Sequence, residues 1–443
     1  MKWLLGALTL LVAGIILKLG LLVYAMYVLL GVLLLSRYLS RQWVENLSAT
    51  RHCSADSAQV GESIEVIVTV SNHGKLPVPW LLLEDSLPRA ALTQNPPRIR
   101  AKGPRLSITR LSPGGEKSLR YQINFLMRGY YQIGPLLLES GDLFGLHRRY
   151  RVVTEPHFVL VYPKVVPLEG YDLASRRPIG DVRLTHRLFE DPTRINGVRP
   201  YQDGDPLNRI HWRATARIGQ LQSKSYEPSC VAGITILLDF HQDSFHAPGE
   251  LYRAELAITT VASLANTVHQ LRQPVGFVTN GRDAADRIRE EGWGHEFLTR
   301  SAARTNVAMR ERSDRLQPLI IETRRRPDQL MQILETFARV ELTDGLTFPQ
   351  LLVEIDGRLP RNTTAVAVLT EVSEETAVAL GNLHRRGYAV TAILVVFDEA
   401  ETPDWAQRPD WANWLLAAGI DVRRVDNEAT LARLCAEQLY RRA

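Results

Sequence analysis

Residues 3–35 read WLLGALTLLVAGIILKLGLLVYAMYVLLGVLLL, an apolar run with one charge, Lys18. As a single helix this run would rise about 50 Å, against a bilayer hydrocarbon core of about 30 Å. One straight span is therefore too long. A break is expected at Lys18-Leu19-Gly20, where a charge meets a residue that helps a chain turn. Two short spans, about 3–17 and 21–36, would form a transmembrane hairpin over residues 1–40. Each is short, which implies local thinning of the bilayer or snorkelling by Lys18. One tilted span is an alternative. A cleaved signal peptide fits less well, because the apolar stretch is too long and runs into Ser36-Arg37-Tyr38-Leu39-Ser40-Arg41 rather than a small-residue cleavage site. Arg37, Arg41 and Arg51 follow the second span, and positive charge there favours the cytoplasmic side. The expectation is a protein of the inner (plasma) membrane with its soluble domains facing the cytoplasm. Tyr24, Tyr27, Tyr38 and Trp43 are candidates for the membrane interfaces, with packing between the helices an equal alternative for Tyr24 and Tyr27.

The remaining four hundred or so residues exceed one ordinary domain. Lys and Arg number 53 against 48 Asp and Glu, a net charge of +5. Spread over 443 residues, this lacks the concentrated basic stripe of a nucleic-acid binder, so no nucleic-acid partner is expected. Three cysteines, Cys53, Cys230 and Cys435, are too few and too far apart for a disulfide framework or a CxxC metal pair. The hydrophobic share of 45% excludes wholesale disorder.

Residues 54–165 read as strands. Ile64, Val66, Val68 and Val70 share one face of a β-branched run. Leu119, Tyr121, Ile123 and Phe125 alternate with polar residues. Turn residues are dense, including Pro113-Gly114-Gly115 and Gly134-Pro135. Short strands with frequent turns predict an all-β sandwich, immunoglobulin-like in type. From residue 231 to 443 the rhythm becomes α/β. Gly233–Phe240 is a continuous apolar strand ending in charge. Ala254 to Leu271 repeats at helical spacing. Pro274–Asn280, Thr364–Thr370, Ala389–Phe397 and Ile420–Val425 read as further strands, with a helix opening at Ser373-Glu374-Glu375 between them. Such alternation predicts a parallel sheet covered by helices. Residues 166–230 are polar and read as a linker.

Within that linker stands RINGVRPYQDGDPLNRIHWRATARIGQLQSKSYE, residues 194–227. It contains Gly197-Val198-Arg199-x-Tyr201, Gly204-Asp205, Arg209-Ile210-His211-Trp212, Ala216-Arg217, Leu221, Lys224 and Glu227. This segment resembles the signature of domain-of-unknown-function family 58 (DUF58). Arg128-Gly129-Tyr130, Gly134-Pro135 and Asp142-Leu143-Phe144-Gly145-Leu146 look like the end of the β-domain that precedes the signature in such proteins, and the N-terminal hairpin is similar to the family layout. The resemblance covers nearly the whole chain, weakening after residue 280. It implies a membrane-anchored protein whose α/β part is a von Willebrand factor A-like, Rossmann-type domain. It also implies a MoxR-type AAA+ ATPase as partner, in an assembly or chaperone-linked system. It does not imply a reaction.

The signature residues Arg199, Tyr201, Asp203, Gly204, Asp205, Arg209, His211, Trp212, Arg217 and Lys224 admit three readings: an ion-paired segment clamping two domains, a recognition surface for a partner, or catalysis by His211 with Asp205. No nucleophile or second carboxylate is spaced to complete a catalytic site. A-type domains end their first strand in Asp-x-Ser-x-Ser, hard ligands for Mg²⁺. Here those positions read Asp239-Phe240-His241-Gln242-Asp243, so both serines are replaced. Thr370 and Glu371 supply later strand-end oxygens, and Thr347 is a candidate in the middle loop. The loop is either a Mg²⁺ site or its remnant; His241, Asp243 and His246 would be a Zn²⁺ alternative. No GxxxxGK[ST] or GxGxxG phosphate loop is present. The expectation is a non-enzymatic, membrane-anchored scaffold or adaptor. The alternatives are a hydrolytic or envelope-processing enzyme using the charged signature and, with reversed orientation, a periplasmic binding module.

Overall fold

The computed structural model describes residues 2–142, 147–168, 190–201, 210–228, 233–245, 250–286, 316–360, 363–396 and 411–434. The chain forms two compact units. The first is built on Met1–Lys164, the second on Val165–Arg282, Asp314–Phe337 and Glu341–Ala443.

The first unit opens with helices α1 (Lys2–Ile16) and α2 (Gly20–Glu45). The turn between them places Lys18 at φ 56, in the left-handed region. Ala7 and Leu11 are buried, and a Cβ on Gly14 would lie 3.3 Å from Leu22 and Val23, so the small residues of α1 let the helices approach closely. Helix α2 is long and apolar enough to cross a membrane. With 15 residues, α1 rises only about 22 Å, short of the hydrocarbon core. Helix α2 also runs past the expected end of the second span, to Glu45. Its last turns bury Ser36, Ser40, Trp43 and Val44. Trp43 thus belongs to the sandwich core rather than to a membrane interface.

Eleven strands follow: β1 (Leu47–Cys53), β2 (Ser57–Gln59), β3 (Ser63–Asn72), β4 (Val78–Asp85), β5 (Ile99–Lys102), β6 (Leu106–Leu111), β7 (Glu116–Phe125), β8 (Gly129–Ile133), β9 (Leu136–Gly141), β10 (Arg148–Val152) and β11 (His157–Tyr162). The β-domain therefore begins at Leu47, earlier than residue 54. Short helix α3 (Arg89–Thr93) lies between β4 and β5. The sheets run β1-β3-β7-β5, β10-β9-β4-β6 and β2-β11-β8. Period-two alternation sends Ile64, Val66, Val68, Val70, Leu119, Tyr121, Ile123 and Phe125 into one core with Leu81, Leu83 and Leu138. That core also holds charge. The buried Arg51 and Asp85 form an ion pair, and Tyr121 donates its hydroxyl proton to Asp85 Oδ2 at 2.6 Å. Gly134, at φ +84, leaves room for the Arg51 guanidinium, which a Cβ would strike.

In the second unit, β12 (Glu190–Pro200) and β13 (Gln222–Pro228) pair antiparallel, with α4 (Trp212–Ile218) between them. The segment expected as a linker is thus an element of its own. The α/β sheet comprises β14 (Gly233–Leu238), β15 (Val275–Thr279), β16 (Leu319–Arg324), β17 (Thr363–Leu369), β18 (Ala389–Val395) and β19 (Asp421–Val425). Its order is β16-β15-β14-β17-β18-β19, parallel throughout except at β16. The central strands are buried on both faces, which is why they read as unbroken apolar runs. Gly276 lets the edge strand pass close: a Cβ there would sit 2.2 Å from Thr323 Oγ1. Helix α5 (Glu250–Gln270) is buried along much of its length. It satisfies Thr260, Ser263 and Thr267 by bonding their hydroxyls back one turn, to Leu256 O, Thr259 O and Ser263 O. The remaining described α-helices are α6 (Gln329–Arg339), α7 (Phe348–Glu354), α8 (Glu374–Arg385), α9 (Trp411–Ala417) and α10 (Glu428–Ala432). Ser373 caps α8 by accepting from Thr376 N at 3.1 Å.

Candidate functional site

Counted along the chain, the sheet grows from β14 outward to β15 and β16, then jumps to β17 on the other side of β14. Open α/β sheets bind ligands outside the carboxyl ends of the strands at such a switch point. Asp239 follows β14, Asn280 follows β15 and Thr370 follows β17, so the topology gathers these three residues at one end of the sheet.

Asp239 is 3% exposed. Its Oδ2 accepts from Ser244 Oγ at 2.6 Å, and its Oδ1 accepts from Asn280 Nδ2 at 2.9 Å and from His241 N at 3.1 Å. Asn280 is equally committed: its Oδ1 accepts from Phe240 N at 2.7 Å, and its Nδ2 also donates to Leu346 O at 2.9 Å. Thr370 Oγ1 donates to Ser244 O at 2.8 Å, and Arg253 Nη2 of α5 donates to Thr370 O at 3.0 Å. Burial pushes the Asp239 carboxyl up from the ordinary value near 3.8, against the pull of the hydrogen bonds from Ser244, Asn280 and the His241 backbone N–H. Phe240 and Phe245 pack edge to face beside this network, 5.5 Å apart. The network laces together the loops that follow β14, β15 and β17 with the segment around Leu346.

These residues do not fit a resident Mg²⁺. Both Asp239 oxygens are occupied by protein donors. Asp243 is solvent-exposed, its Oδ2 lying 3.6 Å from His241 Nδ1. His241 Nδ1 accepts from Asp243 N at 3.2 Å, a local turn rather than a ligand cradle. Thr370 is spent on the Ser244 carbonyl, and Glu371 shows no bond to this network. Thr347 caps α7 in a capping box with Gln350 instead of facing a metal. Among the described residues, no three of His, Cys, Asp and Glu form a group able to hold a metal ion. His246, needed for the Zn²⁺ alternative, lies outside the described residues. Sequence reasoning found Asp239 and Thr370 but missed Asn280, Ser244 and Arg253. The signal for Asn280 was its place at the end of an apolar strand.

The signature folds as a hairpin with a capped helix. Arg199 and Lys224 sit on β12 and β13, where Val198 pairs with Lys224 and Arg199 with Ser223. Tyr201 N donates to Leu221 O, and His211 N donates to Gln222 O at 2.8 Å, continuing the ladder. His211 then caps α4: its Nδ1 accepts from Ala214 N at 3.1 Å. Gly219, left-handed at φ 74, closes the helix, and Thr215 Oγ1 accepts from Gln222 N. His211 is thus used as a cap, which removes its Nδ1 from a catalytic role. Asp203, Gly204, Asp205 and Arg209 lie outside the described residues. Helix α4 buries none of its side chains. Trp212 is 68% exposed, with Ile218, Leu221 and Val198 also open and Arg213 and Arg217 beside them.

Residues 197–304 match the model of the DUF58 family, described as a protein of unknown function. That span holds the signature, α4, β14, Asp239, α5 and Asn280, so the family segment carries both the exposed helix and the strand-end network. A relative of the DUF58 family is the uncharacterized protein YeaD of Bacillus subtilis (strain 168), 24% identical over 264 residues, or 59% of this chain and 62% of YeaD. The match therefore spans less than two thirds of YeaD's length. Among solved structures, the chain is similar to the CARDB domain of PF1109 from Pyrococcus furiosus (18% identity, 26% of this chain and 91% of that one, TM-score 0.17). It is also similar to a cohesin module from a Clostridium perfringens family 33 glycoside hydrolase (15% identity, 26% and 96%, TM-score 0.18).

Proposed function

We propose that this protein is a membrane-anchored, non-enzymatic adaptor that docks another protein through its DUF58 signature helix. The carrying observation is Trp212, open to solvent on a capped helix that buries no side chain. A large aromatic flanked by arginines is the composition of an interface anchor. Rigid caps at both ends present it at little cost in ordering. On this reading the apolar α2, with α1 beside it, inserts in the inner membrane and the soluble units face the cytoplasm, as Arg37 and Arg41 favour. The partner is a MoxR-type AAA+ ATPase, the class implied by the family resemblance. The α/β unit is read as von Willebrand factor A-like: its strand order is that of doubly wound sheets and its third strand is antiparallel. In place of an ion, the Asp239–Ser244–Asn280 network holds its strand-end loops, so docking does not require Mg²⁺ at Asp239.

The test is capture from native membranes in mild detergent with Mg²⁺ and nucleotide, followed by binding of the purified ATPase. Full-length protein should retain the ATPase, and Trp212→Ala with Arg217→Glu should lose it at unchanged melting temperature. Failure to recover any AAA+ ATPase, or full retention by the double variant, would overturn the proposal.

A further inference from the structure

The junction between the apolar hairpin and the sandwich carries an unassigned surface. Both lie in the first compact unit. Period two in β10 and the residue before it places His147, Arg149 and Arg151 on one face. His147 Nδ1 lies 3.1 Å from Ser36 Oγ of α2, and Arg151 Nη1 donates to Val44 O and Glu45 O at the end of α2 and to Leu47 O at the start of β1. From residue 36 to residue 45, α2 rises about 13 Å, and four strand residues from 147 to 151 also cover about 13 Å. β10 therefore runs alongside α2, and the sandwich begins where the apolar run ends. Leu34 and Leu35 are still exposed, while Ser36 and Ser40 are buried. The apolar length left below the sandwich, residues 20–35, rises only about 24 Å.

A hairpin that short draws the sandwich onto the membrane surface. Residues 36–40 then occupy the next ~7 Å, the depth of a headgroup layer. Arg37 is exposed there, and the half-buried Arg149 stands midway in register between His147, at Ser36, and Arg151, at Val44 and Glu45. The facing acids are accounted for: Glu139 pairs with Arg148 at 3.4 Å, Asp142 accepts from His147 N, and Glu45 pairs with Arg41 one to two turns further on.

We infer that the hairpin–sandwich junction is a binding surface for anionic lipid headgroups, with Arg37 and Arg149 as its phosphate-facing cations. This rests on the membrane-anchor part of the proposed function. The occupant is a lipid because the cations continue an apolar face into which acyl chains fit, with Leu34, Leu35 and Tyr38 open beside Arg37. Each cation near an anionic surface strengthens lipid association about fivefold.

The experiment reconstitutes the full chain in phosphatidylcholine bilayers and compares spin-labelled phosphatidylglycerol with spin-labelled phosphatidylcholine by electron paramagnetic resonance. The expected result is a motionally restricted lipid component that favours phosphatidylglycerol about five- to twenty-five-fold at low salt, collapsing toward equality in 0.5 M KCl. In Arg37→Gln with Arg149→Gln the preference should drop below about twofold. Arg37→Gln alone, at an exposed position, should lose about fivefold, so the test survives if the double variant fails to fold. Equal association of the two lipids by the wild type, or an undiminished preference in the variants, overturns the inference while the restricted component leaves the anchor standing. Absence of any restricted lipid overturns both.

Discussion

Replacing Asn280 by alanine should strike the strand-end network at its hub. The side chain is 2% exposed and makes three bonds, to Phe240 N, Asp239 Oδ1 and Leu346 O. Truncation leaves the buried Phe240 N–H without its partner, at about 1–3 kcal/mol, and the part-buried Leu346 carbonyl without its own, at the lower end of that range. It also removes a donor from a carboxylate that burial already disfavours. Water entering the space returns part of this, so the expected loss is about 3–5 kcal/mol. For a unit of this size, each kcal/mol lowers the melting temperature by about 2–4 °C, which gives a drop of about 6–20 °C. Differential scanning calorimetry of the detergent-solubilised full chain should place that drop in the α/β transition and leave the sandwich transition where it is. A shift under about 2 °C, or an equal shift of both transitions, would refute the idea that this network holds the loops together.

The carboxyl of Asp239 is raised in the folded state, so its contribution to stability is full below the unfolded value near 3.8 and declines as pH rises through the folded value. Asp239→Asn should flatten that arm of the pH–stability curve, measured by urea unfolding from acid to neutral pH. Asp85→Ala should destabilise the sandwich by about 3–5 kcal/mol, because it strands the buried Arg51 charge and the Tyr121 hydroxyl; urea unfolding monitored by Tyr fluorescence checks it. Gly134→Ala should cost more than a typical surface change, several kcal/mol, since its Cβ would lie 2.1 Å from Arg51 Nη2 at a left-handed φ; thermal unfolding reads the loss. Burial raises the Cys53 thiol to about 11, with Asp85 and Asp56 adding to the rise and Arg51 opposing it. Alkylation mapped by mass spectrometry should therefore be slow at Cys53 at pH 8 and accelerate as the pH approaches 11.

Much of the architecture was legible because it rests on periodicity. Alternation in Ser63–Asn72 and Glu116–Phe125 marks strands with one buried face, and the unbroken run Gly233–Leu238 marks a strand buried on both. Ser373 before two glutamates marks a helix start because the hydroxyl and the acidic turn act locally. The end of α2 was not legible in the same way. Its last turns mix Arg37, Arg41 and Glu45 with Ser36, Ser40 and Trp43, and only packing on β9 and β10 shows that one face of that polar stretch is buried. The hairpin around the signature was hidden for a related reason: β12 and β13 are polar strands carrying register shifts, without the apolar alternation that announces a sheet.

The strand-end site shows where reading by residue type fails. An aspartate at the carboxyl end of a buried parallel strand has two uses, as a ligand with free lone pairs or as a strut that accepts from its own loops. The two uses share the same local sequence and differ only in what comes from afar. Here Ser244, five residues on, and Asn280, forty-one residues on, fill the lone pairs that an ion would need. The substitutions at 241 and 243 are consistent with that use. His241 supplies its backbone N–H to Asp239, and its ring Nδ1 accepts from Asp243 N. The loss of the two serines therefore leaves the strand end internally bonded, with its loops set by hydrogen bonds. If that is right, added Mg²⁺ at millimolar concentration should leave the α/β melting transition unmoved in the wild type and in Asp239→Asn alike, since an ion bound only by the folded state would raise it. A rise in the wild type that vanishes in Asp239→Asn would restore the ligand reading and make docking metal-dependent.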